Sequence, residues 1–477
     1  MKTTLRAIIV LVVCAVTGAQ ADTHYVAHNG QTPSGSFTDW NSAASNIQDA
    51  VNAATTNDTV LVGAGRYTVP PNATNYNGTN VVYINKPLTL SSSNGLPETT
   101  IIDGEGTNRG VATYYPVNST YSFIISGITI SNCFATNTGG GVLFDDSLIG
   151  GEKHCALINC VIQNNVSAGT AGGVRCGTAN NTYNYFAASN CVFRGNRAVG
   201  NGGAIAKEFY GSADICGCLI ESNSAQYGGG LYFNYGAPQV SNCIIRCNTV
   251  TGTSTSFGGG GVLVAGVAGG WLRNCLIYNN VAYSGGGVAV RQTTTTFAIQ
   301  NCTIVSNTAS SQAGGIAVVT AANIAVSDSI IYSNSSDIIT VGGSYANFYS
   351  TNNCTSSTNN LSAVGNTGNI TKLSAVRGFR GAEFPFKIHV AMHQHRDEPE
   401  LDEWGDGFGR PAAQGRHLRH RGYGLLRICD QRHDVHCPVS GGYMPLRTAD
   451  AWVFERGCSS RCPHRFSCSK FNGLWRK

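Results

Sequence analysis

The fold is decided by residues 160–174, which read CVIQNNVSAGTAGGV. Six copies of this pattern begin with a cysteine and place an asparagine five residues later, and two outer copies start at Gly127 and Ser329 instead. The cysteines are Cys160, Cys191, Cys218, Cys243, Cys275 and Cys302, and their asparagines are Asn165, Asn196, Asn223, Asn248, Asn280 and Asn307. Successive copies begin 25 to 33 residues apart, a period that is typical of a repeat architecture.

A glycine pair followed by alternating apolar residues comes after the asparagine in seven of the eight copies. Such short period-2 runs, punctuated by glycine and asparagine, indicate strands rather than helices. A unit this small cannot bury its own apolar face, so it must stack on its neighbours. We therefore predict an all-β chain folded as a right-handed parallel β-helix, with coils about 4.8 Å apart.

The repeated asparagines and cysteines are predicted to form two ladders inside this solenoid. Stacked amides can hydrogen-bond from coil to coil, and asparagine tolerates the left-handed backbone that a sharp corner requires. The glycine pair is expected to form the next corner because it has no Cβ. Parallel stacking holds Cβ atoms about 4.8 Å apart, beyond the usual disulfide range of about 3.5–4.5 Å. We therefore predict mostly reduced, buried thiols.

The first 21 residues are typical of a secretory signal peptide. Lys2 and Arg6 precede an apolar run, and Ala19-Gln20-Ala21 resembles a cleavage site. The apolar run is too short to span a bilayer, so we expect an exported protein without a membrane span. A lipid anchor at Cys14 is a less favoured alternative, because Val13 is bulkier than such a site requires.

Residues 22–110 are predicted to form an N-terminal cap and the first coils, and residues 111–372 the β-helix repeats. Ser45 and Gln48 fit a capping box, and the residues that follow give the apolar stripe of a short amphipathic helix. A helix here would cover the open end of the solenoid, which otherwise presents unpaired strand edges. The first strands are predicted at residues 59–62, 81–84, 88–90 and 100–102.

Two features of the sequence resemble known families. The repeat, an [FI]-x-x-N segment followed by two glycines and an aliphatic residue, resembles the repeats of the chlamydial polymorphic outer membrane proteins. The segments HYVAHNG from His24, IQDAVNAA from Ile47 and DTVLVGAGRYT from Asp58 resemble the start of secreted bacterial β-helix proteins of the pectin-lyase-like class. The resemblance covers residues 22–372 and implies the fold and bacterial export. It singles out no activity, because such proteins include lyases, hydrolases and adhesins.

Charge divides the chain into two unequal parts. Residues 22–376 carry 12 Lys and Arg against 15 Asp and Glu, whereas residues 377–477 carry 17 against 11 and hold eight of the 11 histidines. The formal net charge of +5 therefore belongs to the tail, and the body, at −3, does not favour a nucleic-acid partner.

The repeat pattern ends near Lys372, and two explanations stay open: a domain boundary, or a frameshift that leaves residues 373–477 as an unstructured tail. Shifting the codons for residues 390–399 by one base permits SPCINTGTNQ, and the same shift over residues 417–423 permits IFDIGA. Both resemble closing motifs found after such β-helices. The histidines and cysteines of the tail are accordingly not predicted to bind a metal.

The second position after each glycine pair is predicted to point outward and to form a binding stripe. The stripe consists of Leu143, Arg175, Ile205, Tyr232 and Leu263. Tyrosine and arginine can stack on sugar rings or anchor an interface. An exposed apolar stripe either binds a partner or is covered by a loop, and both interpretations stay open.

The sequence favours an exported, non-catalytic scaffold for surface binding or adhesion, whose ligand would be a polysaccharide or another cell-surface molecule. No adjacent coils are predicted to place carboxylates side by side, as glycoside hydrolysis would require. We expect a monomer without a cofactor or metal. The alternatives are a polysaccharide lyase or glycoside hydrolase of the same fold, and an autotransporter passenger that lacks its barrel.

Overall fold

The computed structural model describes residues 21–71, 73, 76–116, 120–145, 152–177, 183–319, 322–341 and 347–355. All of these residues belong to Met1–Val390, the first of the two units into which the chain divides. The predicted signal peptide, up to residue 20, and the predicted tail, residues 373–477, lie outside them.

The described chain winds through four parallel sheets, which we number in the order that a full coil visits them. Sheet 1 contains Thr23–Val26, Thr59–Val62, Leu88–Ser92, Tyr121–Ser126, Glu152–Ile158, Tyr183–Ser189, Ala213–Cys216, Gln239–Ser241, Trp271–Arg273, Phe297–Gln300, Asn323–Ser327 and Asn347–Thr351. Sheet 2 contains Gly65–Tyr67, Thr100–Asp103, Thr129–Ser131, Val161–Gln163, Val192–Arg194, Leu219–Glu221, Ile244–Arg246, Leu276–Tyr278, Thr303–Val305, Ile330–Tyr332 and Cys354–Thr355.

The other two sheets complete each coil. Sheet 3 contains Phe134–Ala135, Val166–Ser167, Arg197–Ala198, Ser224–Ala225, Thr249–Val250, Val281–Ser284 and Thr308–Gln312. Sheet 4 contains Asn80–Ile84, Arg109–Thr113, Val142–Phe144, Val174–Cys176, Ile205–Glu208, Leu231–Asn234, Val262–Ala265, Val288–Arg291, Ile316–Val319 and Ile338–Val341. The prediction of an all-β, parallel solenoid is therefore confirmed, and so are the four predicted first strands.

The core lies inside the coils and is built from residues that stack on their own counterparts. In the sheet 2 strands from Thr129–Ser131 to Ile330–Tyr332 the middle residue points inward, and Ile162 pairs with Phe193, which pairs with Ile220. The fully buried residues of this column are Ile130, Ile162, Phe193, Ile220, Ile245, Ile277, Ile304 and Ile331. Burial of such a side chain contributes about 1.5–3 kcal/mol, so the repeat of one apolar position stabilises every coil.

The predicted asparagines form a continuous buried ladder. At Asn223 the side-chain oxygen accepts hydrogen bonds from the backbone N–H and the side-chain Nδ2 of Asn196, both at 3.0 Å. Its own Nδ2 donates to the carbonyl oxygen of Phe193 and to Oδ1 of Asn248, also at 3.0 Å. Every hydrogen-bonding group of the amide is therefore satisfied without water, as a buried polar side chain requires.

The six cysteines stack in a second buried ladder and carry free thiols. The backbone N–H of Cys191 lies 3.4 Å from the Sγ atom of Cys218, which in turn donates to the carbonyl oxygen of Cys216. Burial raises the pKa of the Cys218, Cys243 and Cys302 thiols, because the thiolate would lose its hydration inside the core. These thiols are therefore protonated and act as small apolar side chains.

The sequence predicted that the ladder asparagines would adopt the left-handed conformation at the corner. The structure shows that they do not. Positive φ values occur one residue earlier, at Asn164 (55°), Ser222 (55°) and Asn279 (53°). The ladder side chain must point into the core, so the backbone reverses at the preceding residue. Asn164 and Ser222 are exposed, and their side chains are free to point toward solvent.

The predicted alignment of the first outer copy was wrong by one residue. Thr129 pairs with Val161, so Ile128 stacks on Cys160 and Cys133 stacks on Asn165. The backbone N–H of Cys133 donates to Oδ1 of Asn165 at 3.0 Å, which places a thiol at the end of the amide ladder. The prediction had aligned Gly127 and Asn132, which stand one residue before Ile128 and Cys133, with the repeat.

The glycine pair permits a close approach between coils, and the left-handed residue of the predicted corner is the one before the pair. A Cβ at Gly229 would lie 2.6 Å from the carbonyl oxygen of Gly260 in the next coil, which a side chain cannot occupy. The positive φ belongs to the preceding residue, Gly228, at +62°. The pair therefore permits the close backbone approach between successive coils, and the residue before it makes the turn.

The predicted cap is present as the helix Ile47–Ala53. Its N-cap is Asn46 and not the predicted Ser45. The Asn46 side chain accepts a hydrogen bond from the Asp49 N–H. The amide of Gln48 accepts from the backbone N–H of Tyr83 at 2.7 Å and donates to the Tyr83 carbonyl at 3.0 Å. The helix thus satisfies the free edge of the first sheet 4 strand, which would otherwise be open to pairing.

Candidate functional site

The strand register decides which residues share the outward face of sheet 4. It stacks Leu143, Arg175, Ala206, Tyr232 and Leu263 in that order. Ile205 pairs instead with Val174 and Leu231 in the inward column, so its predicted place in the outward stripe was wrong. The cause is Ala204, which stands in that coil where the second glycine of the pair is expected.

This outward column is covered. Leu143 and Leu263 are fully buried, Tyr232 is almost so, and Phe257 from the loop before the Leu263 strand packs against the same cluster. Of the two interpretations that the sequence left open, the structure shows the covered face. A ligand-binding role for the five predicted residues stays a prediction.

One ion pair lies on this covered face. Arg175 Nη2 is 2.6 Å from Glu208 Oε2, and Arg175 Nη1 donates to Thr138 Oγ1 at 3.1 Å. Glu208 is buried, and the burial raises the pKa of its carboxyl although Arg175 and Lys207 oppose the shift. The pair connects two adjacent coils at the point where the chain leaves sheet 4.

Lys207 fixes the turn that follows. It stands in an inward position between Cys176 and Phe233 and is buried. Its Nζ donates to the carbonyl oxygens of Glu208, Phe209 and Tyr210 at 3.0, 3.1 and 2.9 Å. A buried ammonium is stable only when its donors are satisfied, so the three carbonyls must converge on it. The turn that carries Tyr210 is held from inside by this lysine.

Three tyrosines form an exposed row where successive coils pass from sheet 4 to sheet 1. Tyr183, Tyr210 and Tyr235 have 55%, 49% and 48% of their surface exposed. The ring centroids of Tyr183 and Tyr210 are 5.9 Å apart, and those of Tyr210 and Tyr235 are 6.4 Å apart. The rings follow the solenoid axis and together present a contiguous aromatic surface.

Polar aromatic groups adjoin this row. The rings of His154 and Tyr185 stack at 4.8 Å with their planes 13° apart, and His154 Nε2 lies 3.6 Å from Glu152 Oε2. Burial raises the pKa of Tyr185, and the nearby Glu152 carboxylate adds to the shift. We call Tyr183, Tyr210, Tyr235, Tyr185 and His154 the aromatic patch.

The tyrosine row shares a repeat position that the sequence analysis did not use, because Tyr183, Tyr210 and Tyr235 each stand eight residues before a ladder cysteine. Tyr183 begins a sheet 1 strand, whereas Tyr210 and Tyr235 lie in turns after sheet 4 strands. One local feature could have pointed to it: both turns read Tyr-Gly, and Gly211 and Gly236 have positive φ values of 90° and 72°.

Among the residues that the structure describes, no three His, Cys, Asp or Glu side chains group closely enough to hold a metal ion. No helix in the described ranges is long and apolar enough to cross a membrane. The outward carboxylate of Asp145, at the end of a sheet 4 strand, accepts a hydrogen bond from the Tyr76 hydroxyl at 2.6 Å.

No family model and no curated protein matches the chain. Among solved structures, it is similar to a pectate lyase, with 16% identity over 74% of this chain and 80% of that chain and a TM-score of 0.42. It is also similar to the A-module of a mannuronan C-5 epimerase from Azotobacter vinelandii, with 13% identity, coverage of 68% and 94%, and a TM-score of 0.38. A pectin methylesterase from Aspergillus niger has 16% identity, coverage of 74% and 91%, and a TM-score of 0.28. At these values their substrates and reactions do not transfer to this chain.

Proposed function

We propose that this protein is an exported, non-catalytic β-solenoid scaffold that binds a polysaccharide through the aromatic patch. The observation that carries the proposal is the row of Tyr183, Tyr210 and Tyr235, which three successive coils hold about half exposed. Contiguous exposed apolar surface on a soluble protein is a mark of binding.

A tyrosine ring offers a flat apolar face and a polar hydroxyl at its edge. The C–H face of a sugar ring can cover such a surface while its hydroxyl groups stay in water. The two centroid separations in the row, 5.9 and 6.4 Å, are similar, so the platform repeats along one direction. A row of this kind suits a linear polymer better than a single small ligand.

The binding surface is preorganised. Lys207 holds the Tyr210 turn through three carbonyl oxygens, and the Arg175–Glu208 ion pair secures the residue that begins the turn. A surface that is rigid before it meets its ligand loses less conformational entropy on binding.

The carboxylates at the exit of sheet 4 have structural partners, which supports a binding role over hydrolysis. Glu208 is paired with Arg175, and Asp145 accepts from the Tyr76 hydroxyl. Glycoside hydrolysis would instead need two carboxyl groups that flank the scissile bond. Export is supported by the signal-peptide-like sequence at residues 1–21, and fractionation of the producing cells would test it.

The binding proposal is tested by co-sedimentation and affinity electrophoresis with cellulose, chitin, xylan, pectin and alginate. Replacement of one row tyrosine by alanine should weaken binding about five-fold, because an aromatic contact is worth about 1 kcal/mol. The triple variant of Tyr183, Tyr210 and Tyr235 should weaken it about 100-fold if these contacts add. Tyr349→Ala is the matched control, since Tyr349 is 42% exposed in sheet 1 outside the patch.

Two results would contradict this function. One is a triple variant that binds as well as the unmodified protein. The other is the release of soluble sugars from any of the five polymers by the purified chain, which would establish catalysis. A polymer that binds and is recovered intact supports the scaffold role.

A further inference from the structure

One coil differs from its neighbours in the connection between sheets 3 and 4. The coil that begins at Cys243 uses eleven residues, 251–261, between Thr249–Val250 and Val262–Ala265. The preceding coil makes the same connection with five residues, 226–230. Insertions in a solenoid repeat map to loops on one face, and that face often binds.

The inserted loop is anchored on its inner side. The backbone N–H groups of Thr251 and Gly252 donate to carbonyl oxygens of the preceding coil at 2.8 and 3.1 Å. Ser254 Oγ accepts hydrogen bonds from the N–H groups of residues 256 and 257. The Phe257 ring lies 5.1 Å from that of Tyr227, and the Arg291 guanidinium lies 3.7 Å from the Phe257 centroid. The loop therefore has a defined conformation.

An open cleft lies between this loop and the two coils before it. Its volume is about 550 Å³, within the 300–1,000 Å³ that ligand sites usually have. The lining side chains include those of Val199, Gln226, Tyr227, Thr251, Thr253 and Ser254, and all of them are uncharged. Val199 is 55% exposed and supplies an apolar wall.

We propose that this cleft binds a neutral saccharide unit, at a site separate from the aromatic patch. Hydroxyl and amide side chains from two coils can exchange hydrogen bonds with sugar hydroxyls, while Val199 of a third coil and Tyr227 face the apolar side of the ring. The lining offers no cation to a uronate, sulfate or phosphate, so an anionic group would gain no ion pair from the lining side chains. The cleft lies where the chain enters sheet 4, and the patch lies where it leaves.

The test is isothermal titration calorimetry on the full chain with maltotriose, cellotriose, xylotriose and mannotriose, and with trigalacturonate and trimannuronate as acidic counterparts. At least one neutral trisaccharide should bind more tightly than either acidic one. Thr253→Trp and Val199→Trp, which place an indole in the lining from two different coils, should each weaken that binding at least ten-fold. Thr308→Trp is the control, because Thr308 is an exposed sheet 3 threonine two coils further along.

Three outcomes would overturn the proposal: no neutral trisaccharide binds, an acidic one binds better, or both cleft variants bind as the unmodified chain does. Using two variants guards against one that fails to fold, and circular dichroism identifies such a case. Because the aromatic patch can itself bind a trisaccharide, the titration is repeated in the triple alanine variant of Tyr183, Tyr210 and Tyr235. Binding that persists there and is lost with the cleft variants belongs to the cleft, so failure here and failure of the aromatic patch are distinguishable.

Discussion

Asn196 donates two hydrogen bonds to one oxygen atom of Asn223, which lies one coil further along the solenoid. The side-chain oxygen of Asn223 accepts both the backbone N–H and the side-chain Nδ2 of Asn196, each at 3.0 Å. The same arrangement recurs between Asn248 and Asn280. Because donor and acceptor are the same residue type in adjacent coils, each rung satisfies its neighbour, and the loss of one rung affects two coils.

Asn223→Ala should therefore be strongly destabilising. It removes the acceptor for both Asn196 donors and the donor to the Phe193 carbonyl. Each buried polar group left without a partner costs about 1–3 kcal/mol, so we expect a loss of about 3–5 kcal/mol in the free energy of unfolding. Urea unfolding followed by circular dichroism measures it, and Asn41→Ala at an exposed position is the control. Equal midpoints for the two variants would contradict the ladder's role.

Gly229→Ala should cost more than Gly230→Ala. A Cβ at Gly229 would lie 2.6 Å from the Gly260 carbonyl oxygen and 2.7 Å from that of Thr249. Forcing a group into a closed site costs roughly 1–3 kcal/mol or more. Gly230 is also close to a carbonyl, but the equivalent position one coil earlier is Ala204, which shows that the position can accept a Cβ. Thermal unfolding of both variants gives the comparison, and an equal loss would refute the proposed difference.

Stability should fall as the pH rises above the usual thiol pKa. Burial raises the pKa of Cys218, so the native thiol keeps its proton where the unfolded thiol, with a pKa of about 8.5, loses it. Unfolding then releases a proton, and the free energy of unfolding decreases by up to about 1.4 kcal/mol per pH unit for each such thiol. Cys218→Ala should make the decrease between pH 8 and pH 10 shallower. If the free energy of unfolding falls equally steeply with pH in both proteins, Cys218 does not contribute to the decrease.

Lys207→Met should weaken polysaccharide binding, although the side chain of residue 207 is buried and does not contact the ligand. The change removes the donor that gathers the carbonyl oxygens of Glu208, Phe209 and Tyr210, so the Tyr210 ring loses its fixed position. We expect several-fold weaker binding together with lower stability. Lys86→Met is the matched control, since Lys86 Nζ donates to the Val51 and Ala54 carbonyls at the cap, away from the patch. If both variants bind equally, Lys207 has no positioning role.

The repeated positions allowed the sequence to predict the architecture. Asn223 and Cys218 recur at one spacing because each bonds or packs against its own counterpart in the next coil, so the spacing reports the contact directly. The prediction failed where one coil departs from the pattern. Ala204 replaces a glycine, and counting from the glycine pair then assigned Ile205 to the wrong face of sheet 4.

The candidate site was less accessible to sequence reasoning, for two physical reasons. Whether Tyr232 is exposed depends on a loop that packs Phe257 over it, and loop packing leaves no periodic pattern. The exposure of Tyr210 depends on Lys207, an inward lysine at a position where neighbouring coils hold Cys176 and Phe233. Alternation of apolar and polar residues cannot identify a buried ammonium whose partners are backbone carbonyls.

The asparagine ladder has a consequence for how such a chain can change over generations. Since the two sides of a coil carry matching groups, duplication or deletion of a whole unit joins surfaces that already fit, and no new interface has to arise. The number of coils can then vary while the contacts between adjacent coils stay the same. Because Tyr183, Tyr210 and Tyr235 each belong to a different coil, the length of the aromatic row is tied to the number of coils. The number of coils would thus determine the length of polymer that the aromatic row can bind.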